Sequence, residues 1–339
     1  MTVRIAVDAL GGDRGPEAIV EGALEAAAAG AEPILFGPAS LDTKGLELVP
    51  TTQEIAMDEK PAEAVRSKPD SSLVVACRAV GERRADAVVS AGNTGAMLAA
   101  CLVELRRLPG VIRPAIAAPL PAIRGVSVLI DSGANADARP EHLLQFGYMG
   151  SIFAEEILGI ARPSVRLLSI GEEPEKGNQL TLEAHELLAA SDLRFEGNTE
   201  SRDLLSGAAD VVVCDGFTGN IALKLMEGTI KTFLTALREE SMRTRRGKVG
   251  GLLIRGAARG LRSRLDPDTY GGAYLLGLNG LAVIAHGNSS PRAIASAIEL
   301  AARGVEHAVV GRLADRFPER PRKAVLTSAR SQTESRQEE

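Results

Sequence analysis

The feature that most constrains this chain of 339 residues is a repeated alternation of short apolar runs with longer helical stretches. The apolar runs are nearly continuous, which is typical of strands buried on both faces of a parallel sheet. We predict strands at Val3–Ala9, Ala87–Val89, Val126–Ile130, Val165–Ile170, Val211–Cys214 and Leu281–Ala285. We predict helices at Pro16–Ala29, Thr94–Arg107, Glu141–Leu158, Leu180–Ala190, Gly219–Glu240 and Pro291–Arg303. The repeated order of strand and then helix predicts an α/β fold built on a mostly parallel sheet.

Small polar turns that contain glycine connect the predicted strands to the helices that follow them. Their sequences are DALGGDRGP, SAGNTGA, DSGANADARP, SIGEEPEKGNQ, CDGFTGN and AHGNSSP. In a doubly wound sheet the carboxyl ends of parallel strands share one edge, so we expect the six turns to converge on one cleft. Helix N-termini at that edge offer unpaired N–H groups and a partial positive charge, which suit an anion such as phosphate.

Composition narrows the classes of function. The net charge of −5 and the isoelectric point near 5.6 argue against nucleic-acid binding through the overall field of the protein. Cys77, Cys101 and Cys214 lack the spacing of a zinc site or of a disulfide framework, so we expect a reducing cytoplasm and infer neither a metal nor a cofactor. No apolar stretch approaches about 18 residues and the N-terminus does not resemble a signal peptide, so we expect a chain that does not cross a bilayer.

One segment departs from this acidic background. Residues 238–264 carry nine Arg or Lys and two Glu, interleaved with apolar residues, so a helix here would have an apolar stripe and a basic face. This composition favours contact with an anionic surface, and a solvated helical face is the alternative. The candidate contact residues are Arg243, Arg245, Arg246, Lys248, Leu252, Leu253, Arg255, Arg259 and Arg262. We therefore predict one catalytic unit over residues 1–317 with a basic helical excursion at 238–265, followed by a disordered tail at 318–339.

The first two turns supply candidate phosphate ligands. These are Gly11, Gly12, Asp13, Ser90, Gly92, Asn93 and Thr94. The first turn resembles a nucleotide loop but lacks both the G-x-G-x-x-G and the P-loop spacing. The second turn adds side-chain donors to a helix N-terminus. For each turn the alternative is local: Asp13 lies near a helix start, and Asn93 or Thr94 caps the next helix.

The remaining turns supply candidate catalytic groups. These are Asp131, Asn135, Lys176, Asp215, Asn220 and His286. Asp131 ends an apolar strand, so it either orients a lysine or a substrate hydroxyl or pins its own loop. Lys176 is placed to reach a phosphate or an oxyanion, unless it is a solvated loop lysine. Asp215 has helix capping as its alternative, and His286 either protonates a leaving thiolate or holds its loop.

Taken together and in order, these segments resemble the phosphate acyltransferase family of phospholipid synthesis. The resemblance extends from the first strand to about Leu313 and rests on an ordered set of motifs. These are ALGGDRGP, MDEKPAEAVRSKPDSSL, SAGNTGA, DSGAN, GEEPEKGN, DVVVCDGFTGNIALK and YGGAYLLGLNG followed by HGNSS. It implies a homodimer with a three-layer α/β/α fold like that of phosphotransacetylases and isopropylmalate dehydrogenases, without a bound nicotinamide. It also implies transfer of a fatty acyl group from acyl carrier protein to inorganic phosphate, making acyl phosphate for a membrane glycerol-phosphate acyltransferase.

The mechanism we expect is direct attack of a phosphate oxygen on the thioester carbonyl. Helix starts near Gly12 and Asn93, together with Lys176, would hold phosphate, and Asn135 or Asn220 would contact the oxyanion. The basic segment would then meet acyl carrier protein, the inner face of the cell membrane, or both. Two alternatives remain: a dehydrogenase of the same architecture, for which no dinucleotide fingerprint is found, and a non-catalytic acyl-carrier or lipid adaptor.

Overall fold

The computed structural model describes residues 2–123, 125–265 and 271–317. In these ranges the strands are β1 (Arg4–Asp8), β2 (Glu32–Gly37), β3 (Glu47–Pro50), β4 (Ala87–Ser90), β5 (Ala115–Ala122), β6 (Gly125–Ile130), β7 (Val165–Leu168), β8 (Phe195–Thr199), β9 (Val211–Val213), β10 (Ala273–Leu276) and β11 (Leu281–Ile284). The helices are α1 (Gly15–Ala28), α2 (Pro61–Ser67), α3 (Ser72–Gly81), α4 (Thr94–Glu104), α5 (Pro140–Leu158), α6 (Gln179–Ala189), α7 (Gly216–Arg243), α8 (Arg245–Leu265), α9 (Pro291–Glu306) and α10 (Val309–Arg316).

The six predicted strands and the six predicted helices are all confirmed. They correspond to β1, β4, β6, β7, β9 and β11, and to α1, α4, α5, α6, α7 and α9. The strands β2, β3, β5, β8 and β10 were not predicted from the sequence. Of these, β5 is the longest strand of the described residues and contains Pro119 and Pro121. Because proline cannot donate a hydrogen bond to a neighbouring strand, it argues against a strand in the middle of a sheet, which is where β5 lies.

The strands of the described residues form one sheet in the order β3-β2-β1-β4-β11-β10-β5-β6-β9-β7-β8. β10 is antiparallel to both β11 and β5, and β5 is antiparallel to β6. The other neighbours are parallel, so the sheet consists of two parallel blocks that run in opposite directions. The expectation that all carboxyl ends share one edge is therefore wrong.

The turns still converge, because the two blocks are offset along the strand direction. Across the centre of the sheet, Val283 of β11 pairs with Tyr274, Tyr274 with Ala117 of β5, and Ala117 with Ile130, the last residue of β6. The carboxyl ends of β11 and β6 thus reach the same row from opposite directions. The loops that follow them meet there and form the two walls of a cleft.

Helices cover both faces of the sheet, which confirms the three-layer α/β/α architecture. One face carries the largest apolar cluster, to which α1, α5, α6 and α9 contribute. On the opposite face α3 and α4 pack over the first block, and α7 packs over the second through Met226. β5 connects the two apolar clusters of this face: Ile116 packs in the cluster under α3 and α4, and Leu120 packs in the cluster under α7.

The predicted basic excursion is the last part of α7 together with α8. Leu252 and Leu253 on α8 are 68% and 81% exposed, so the apolar residues of this segment face outward. No helix in the described part of the chain combines the length and the apolar character that crossing a membrane requires. The predicted disordered tail at 318–339 and the side chain of Arg262 lie outside the described residues.

Candidate active site

A cavity of about 380 Å³ lies where the two blocks of the sheet meet. Its polar lining comes from the turns after β4, β6 and β11 and from the first twelve residues of α7. The polar and glycine residues of this lining include Gly92, Thr94, Ser132, Gly133, Asn220, Lys224, Glu227, His286 and Gly287. Three of the predicted turns and the helix that follows a fourth are therefore brought together in one cleft.

The first wall of the cleft consists of the turns that follow β1, β4 and β11. It is held by a buried carboxylate, Asp8, at the end of β1. Asp8 accepts hydrogen bonds from the hydroxyls of Ser72 (2.6 Å) and Ser90 (2.7 Å) and from the backbone N–H of Leu10. Ser90 in turn accepts a bond from the N–H of Gly92. Burial raises the pKa of Asp8, and the two serine hydroxyls act in the opposite direction. Asp8 therefore ties β1, α3 and β4 together beneath the predicted phosphate turn.

The turn after β1 is joined to the turn after β11. The N–H of Asp13 donates to the carbonyl of Gly287 at 2.6 Å. Gly12 has a φ of +107°, and a Cβ there would lie 2.9 Å from the Gly287 carbonyl oxygen, so only glycine fits this approach. The first turn thus supports the cleft-lining turn at Gly287.

Asn93 is the N-cap of α4. Its side-chain oxygen accepts from the N–H of Ala96 at 3.0 Å, and its amide nitrogen donates to the carbonyls of Met57 and Glu59. This is the capping role that the sequence left open, and Thr94 follows at the start of the helix, exposed in the cleft. Phosphate binding by this turn stays a prediction. It would involve Thr94 and the backbone N–H groups at the start of α4.

The second wall is fastened by Asp131, which follows β6 and is fully buried. Its Oδ1 accepts from the N–H groups of Ile116, Gly133 and Ala134 at 2.9–3.1 Å. Its Oδ2 accepts from the backbone and side-chain nitrogens of Asn135 at 2.7 and 2.8 Å. Burial raises the pKa of Asp131, and these hydrogen bonds lower it in part. The geometry matches the loop-pinning alternative for Asp131.

The start of α7 rests directly on this loop. The carbonyl of Asn135 accepts from the N–H of Gly216, and the Asn135 side-chain nitrogen also donates to the carbonyl of Pro114. A Cβ at Gly219 would lie 2.0 Å from the carbonyl oxygen of Asp131, so no larger residue fits there. Asp215 caps α7 by accepting from the N–H and the hydroxyl of Thr218. Asn135 and Asp215 are thus engaged in holding the second wall.

α7 contributes a polar face to the cleft. Asn220, Lys224 and Glu227 all line the cavity, and their spacing of four and three residues places them on one side of the helix. Glu227 Oε1 lies 3.2 Å from Nε2 of His286, which lines the opposite side. Asn220 and His286 were predicted as site residues from the sequence, whereas Lys224 and Glu227 were not. The helical spacing from Asn220 was the signal that could have found them.

Lys176 lies elsewhere. It is exposed in the loop after β7 and is not among the cavity-lining residues of the described chain. The backbone of the loop is held by a bond from Ser169 to the Lys176 carbonyl and by a bond from the Asn198 amide to the Glu173 carbonyl. The structure therefore does not bring this predicted catalytic lysine to the cleft, and its role stays a prediction.

This fold is shared with solved acyl-transferring enzymes. A phosphotransacetylase from Streptococcus pyogenes aligns with a TM-score of 0.60 and 20% identity, covering 90% of this chain and 94% of that one. A branched-chain phosphotransacylase from Enterococcus faecalis aligns with a TM-score of 0.59 and 18% identity, covering 90% and 100%. At these identities the likeness establishes the fold, which is that of the phosphotransacetylases.

Sequence comparison then places the chain within a family. A model of the family described as fatty acid synthesis protein matches residues 3–312. The chain is 46% identical over 328 residues to a phosphate acyltransferase of Heliobacterium modesticaldum, covering 93% of this chain and 98% of the relative. It is 47% identical over 320 residues to a phosphate acyltransferase of Desulforudis audaxviator, covering 92% and 95%. The chain belongs to the phosphate acyltransferase family, and it is an acyltransferase.

Proposed function

We propose that this protein transfers a fatty acyl group from acyl carrier protein to inorganic phosphate, as an early step of phosphatidic acid synthesis. The observation that carries the proposal is a cleft, in a chain of this family, that brings a helix N-terminus and a lysine together with an apolar floor formed by Ile116, Ala118 and Leu120 of β5. The helix N-terminus and the lysine suit phosphate, and the apolar floor suits the acyl group. The product would be the substrate of a membrane glycerol-phosphate acyltransferase.

The reaction needs no redox partner. A phosphate oxygen attacks the thioester carbonyl carbon, forming a C–O bond and an oxyanion, and the C–S bond then breaks. The products are acyl phosphate and the carrier thiol, which takes up one proton. We assign phosphate binding to the N-terminus of α4 at Thr94 and to Lys224, and contact with the oxyanion to Asn220, because all three residues line the cavity.

His286 is our choice for the proton donor to the leaving thiolate. It faces the cleft, and Oε1 of Glu227, 3.2 Å from its Nε2, orients the ring. A thiolate is a good leaving group, so the contribution of His286 is modest beside that of phosphate positioning. Replacing His286 with Gln should therefore lower turnover less than Lys224→Ala does.

Two lysines are candidates for the charged catalytic group that contacts phosphate or the developing oxyanion. Lys224 lies in the cleft, whereas Lys176 was predicted from its motif and lies in the loop after β7. Loss of a group that stabilises the oxyanion costs on the order of 10²-fold or more in turnover. The variants Lys176→Ala and Lys224→Ala therefore form a matched pair. A loss confined to Lys176→Ala would mean that the β7 loop reaches a cleft during turnover, in its own chain or in a second copy.

The test of the function is incubation of the purified protein with long-chain acyl carrier protein, with and without inorganic phosphate. Free thiol and hydroxylamine-trappable acyl phosphate are measured together. Release of both that depends on phosphate is the expected result. If folded protein and native carrier give neither product, the activity proposal fails and the adaptor alternative replaces it. Binding of NAD to the same sample would favour the dehydrogenase alternative.

We further propose that α8 contacts an anionic partner. Leu252 and Leu253 are highly exposed beside a basic face, which is the pattern of a helix lying on anionic lipid. Docking of acidic acyl carrier protein would depend on the same charges. Replacing Arg255 and Arg259 with Glu should abolish binding to phosphatidylglycerol vesicles. If vesicle binding survives while turnover of the carrier substrate falls, the basic face serves the carrier.

We also propose that the protein is a homodimer through α7. The helix leaves exposed five apolar side chains of one i, i+4 row that winds around it, which are Phe217, Ile221, Leu225, Phe233 and Leu237, each at least 40% exposed. The same row of a second copy would cover part of it where the two helices cross. Phe233→Asp should convert the dimer to a monomer in light scattering, whereas Thr235→Asp, on the opposite side of the helix, should not. A monomer in the unchanged protein would contradict the proposal.

A further inference from the structure

The floor of the cleft is a single strand whose side chains face the cavity in alternation. Ile116, Ala118 and Leu120 of β5 lie on one face of the sheet, because successive strand residues point to opposite faces, and all three line the cavity. At one end Ile116 packs in the cluster under α3 and α4, and at the other Leu120 packs in the cluster under α7. Ala118 stands between the two clusters and is the smallest side chain of the three.

The same stretch of β5 lacks hydrogen-bond donors along one edge. Ala115 and Ala117 pair with β10, whose first residue is Ala273, so residues 119 and 121 come next on that side and lie beyond β10. Both are prolines, and both line the cavity. Because proline has no N–H, the strand presents no backbone donor at these two points.

The apolar lining continues on α7, where Leu223 and Met226 face the same cavity. Met226 packs with Leu120 beneath the helix. Over residues 116–120 the floor extends roughly 13 Å at the usual rise of a strand. The polar groups of the lining come from the turns after β4, β6 and β11 and from α7, and none of them belongs to β5. A ligand that filled the cavity would therefore need a polar head and an apolar tail.

We propose that the β5 floor binds the hydrocarbon chain of the acyl substrate and that Ala118 sets how much chain fits. This inference rests on the proposed function and adds to it the part of the site that selects the substrate. The thioester would lie at the polar end, near Thr94 and His286, and the chain would run over Ala118 toward Leu120 and Met226. A larger side chain at position 118 would occupy the space of several methylenes and would shorten the chain that the enzyme accepts.

The experiment compares the unchanged protein with Ala118→Leu on octanoyl and palmitoyl acyl carrier protein. The ratio of kcat/KM for palmitoyl to that for octanoyl should fall at least about tenfold, because exclusion of even one methylene discriminates on that scale. Ala122→Leu is the matched control, since it makes the same change on the same strand at a residue outside the cavity lining. It should leave the ratio unchanged. A folded Ala118→Leu variant with an unchanged ratio overturns the proposal.

A second measurement separates this proposal from the proposed function. Binding of the fluorescent fatty acid cis-parinaric acid is titrated with the unchanged protein and with both variants. If the protein makes no acyl phosphate but Ala118→Leu still weakens binding at least about tenfold, the activity proposal fails and the floor stands. If cis-parinaric acid binds the unchanged protein and Ala118→Leu equally, or binds neither, the floor is not the chain site. Should the leucine variant fail to fold, Ala118→Val serves in both assays, with a smaller decrease expected and no decrease overturning the proposal.

Discussion

The two walls of the cleft are each fastened by a buried aspartate at the end of a strand, but by opposite means. Asp8 accepts mainly from two serine hydroxyls, Ser72 and Ser90. Asp131 accepts from four backbone N–H groups and one side-chain amide. A hydroxyl can reverse from donor to acceptor by rotation, whereas an N–H group cannot. The first wall therefore adapts to a change at its aspartate, and the second wall depends on a full set of acceptor oxygens.

The largest effect should come from Asp131→Asn. In either orientation of the asparagine side chain, its NH2 group faces backbone N–H groups that now donate to Asp131. At least one buried N–H group therefore loses its acceptor. We expect the free energy of unfolding to fall by about 3 kcal/mol. Urea unfolding measures this loss, and Asp215→Asn is the control, because asparagine caps a helix as well as aspartate does. A loss at Asp131 no larger than that of the control would remove the difference between the walls.

A smaller effect is expected for Asp8→Asn. The new NH2 group can donate to the Ser90 oxygen, and the Ser72 hydroxyl keeps its acceptor, so the first wall retains most of its hydrogen bonds. We expect a decrease of about 1 kcal/mol in the same urea experiment. Since Asp8 and Asp131 are similarly buried, equal losses in the two variants would show that burial of the carboxyl, and not the kind of donor, governs both walls.

The smallest effect concerns how stability depends on pH through His142, at the start of α5, where the loop after β6 ends. His142 accepts from the N–H of Arg139 through Nδ1 at 3.1 Å, which fastens the start of α5. Burial, and then the charge of Arg113, lower the pKa of His142 from its usual 6.5. The folded state thus favours neutral His142, so this contribution to stability is present above pH 6.5 and is lost as the pH falls through the lower, folded value.

Urea unfolding from neutral pH down to about pH 5 tests this sign. The unchanged protein should lose stability on acidification more steeply than His142→Gln, whose amide keeps an acceptor for Arg139 and does not titrate. Identical slopes for the two proteins would show that protonation of His142 does not weaken the second wall. The difference between the two walls would then depend on Asp8 and Asp131 alone.

The sequence predicted the secondary structure wherever the signal was local. Apolar runs such as Val211–Cys214 and the caps at Asn93 and Asp215 act within a few residues, so their pattern could be read directly. The roles of Asp8 and Asp131 depend on partners such as Ser72, which is 64 residues from Asp8. No local pattern indicates such a partner, and Asp8 was not predicted as a site residue.

The same limit applied to the cleft. Lys176 stood out because its motif is rich in charge and glycine, whereas Lys224 and Glu227 lie within an ordinary helix. Only the packing of α7 across from the β11 turn makes them neighbours of His286. The two prolines hid β5 in the sequence, yet in the fold they belong to the floor of the cavity.

By itself, the sequence determined the α/β class, the positions of the glycine turns and the family, because these follow from short-range periodicity and from ordered motifs. The tertiary structure alone decided that the sheet has two opposed blocks and that their carboxyl ends meet over β5. Strand direction is set by pairing between residues far apart in the chain, as between Tyr274 and Ala117. The physical reason is that both parallel and antiparallel neighbours satisfy the backbone hydrogen bonds of a strand, so the choice is made only when the whole core packs.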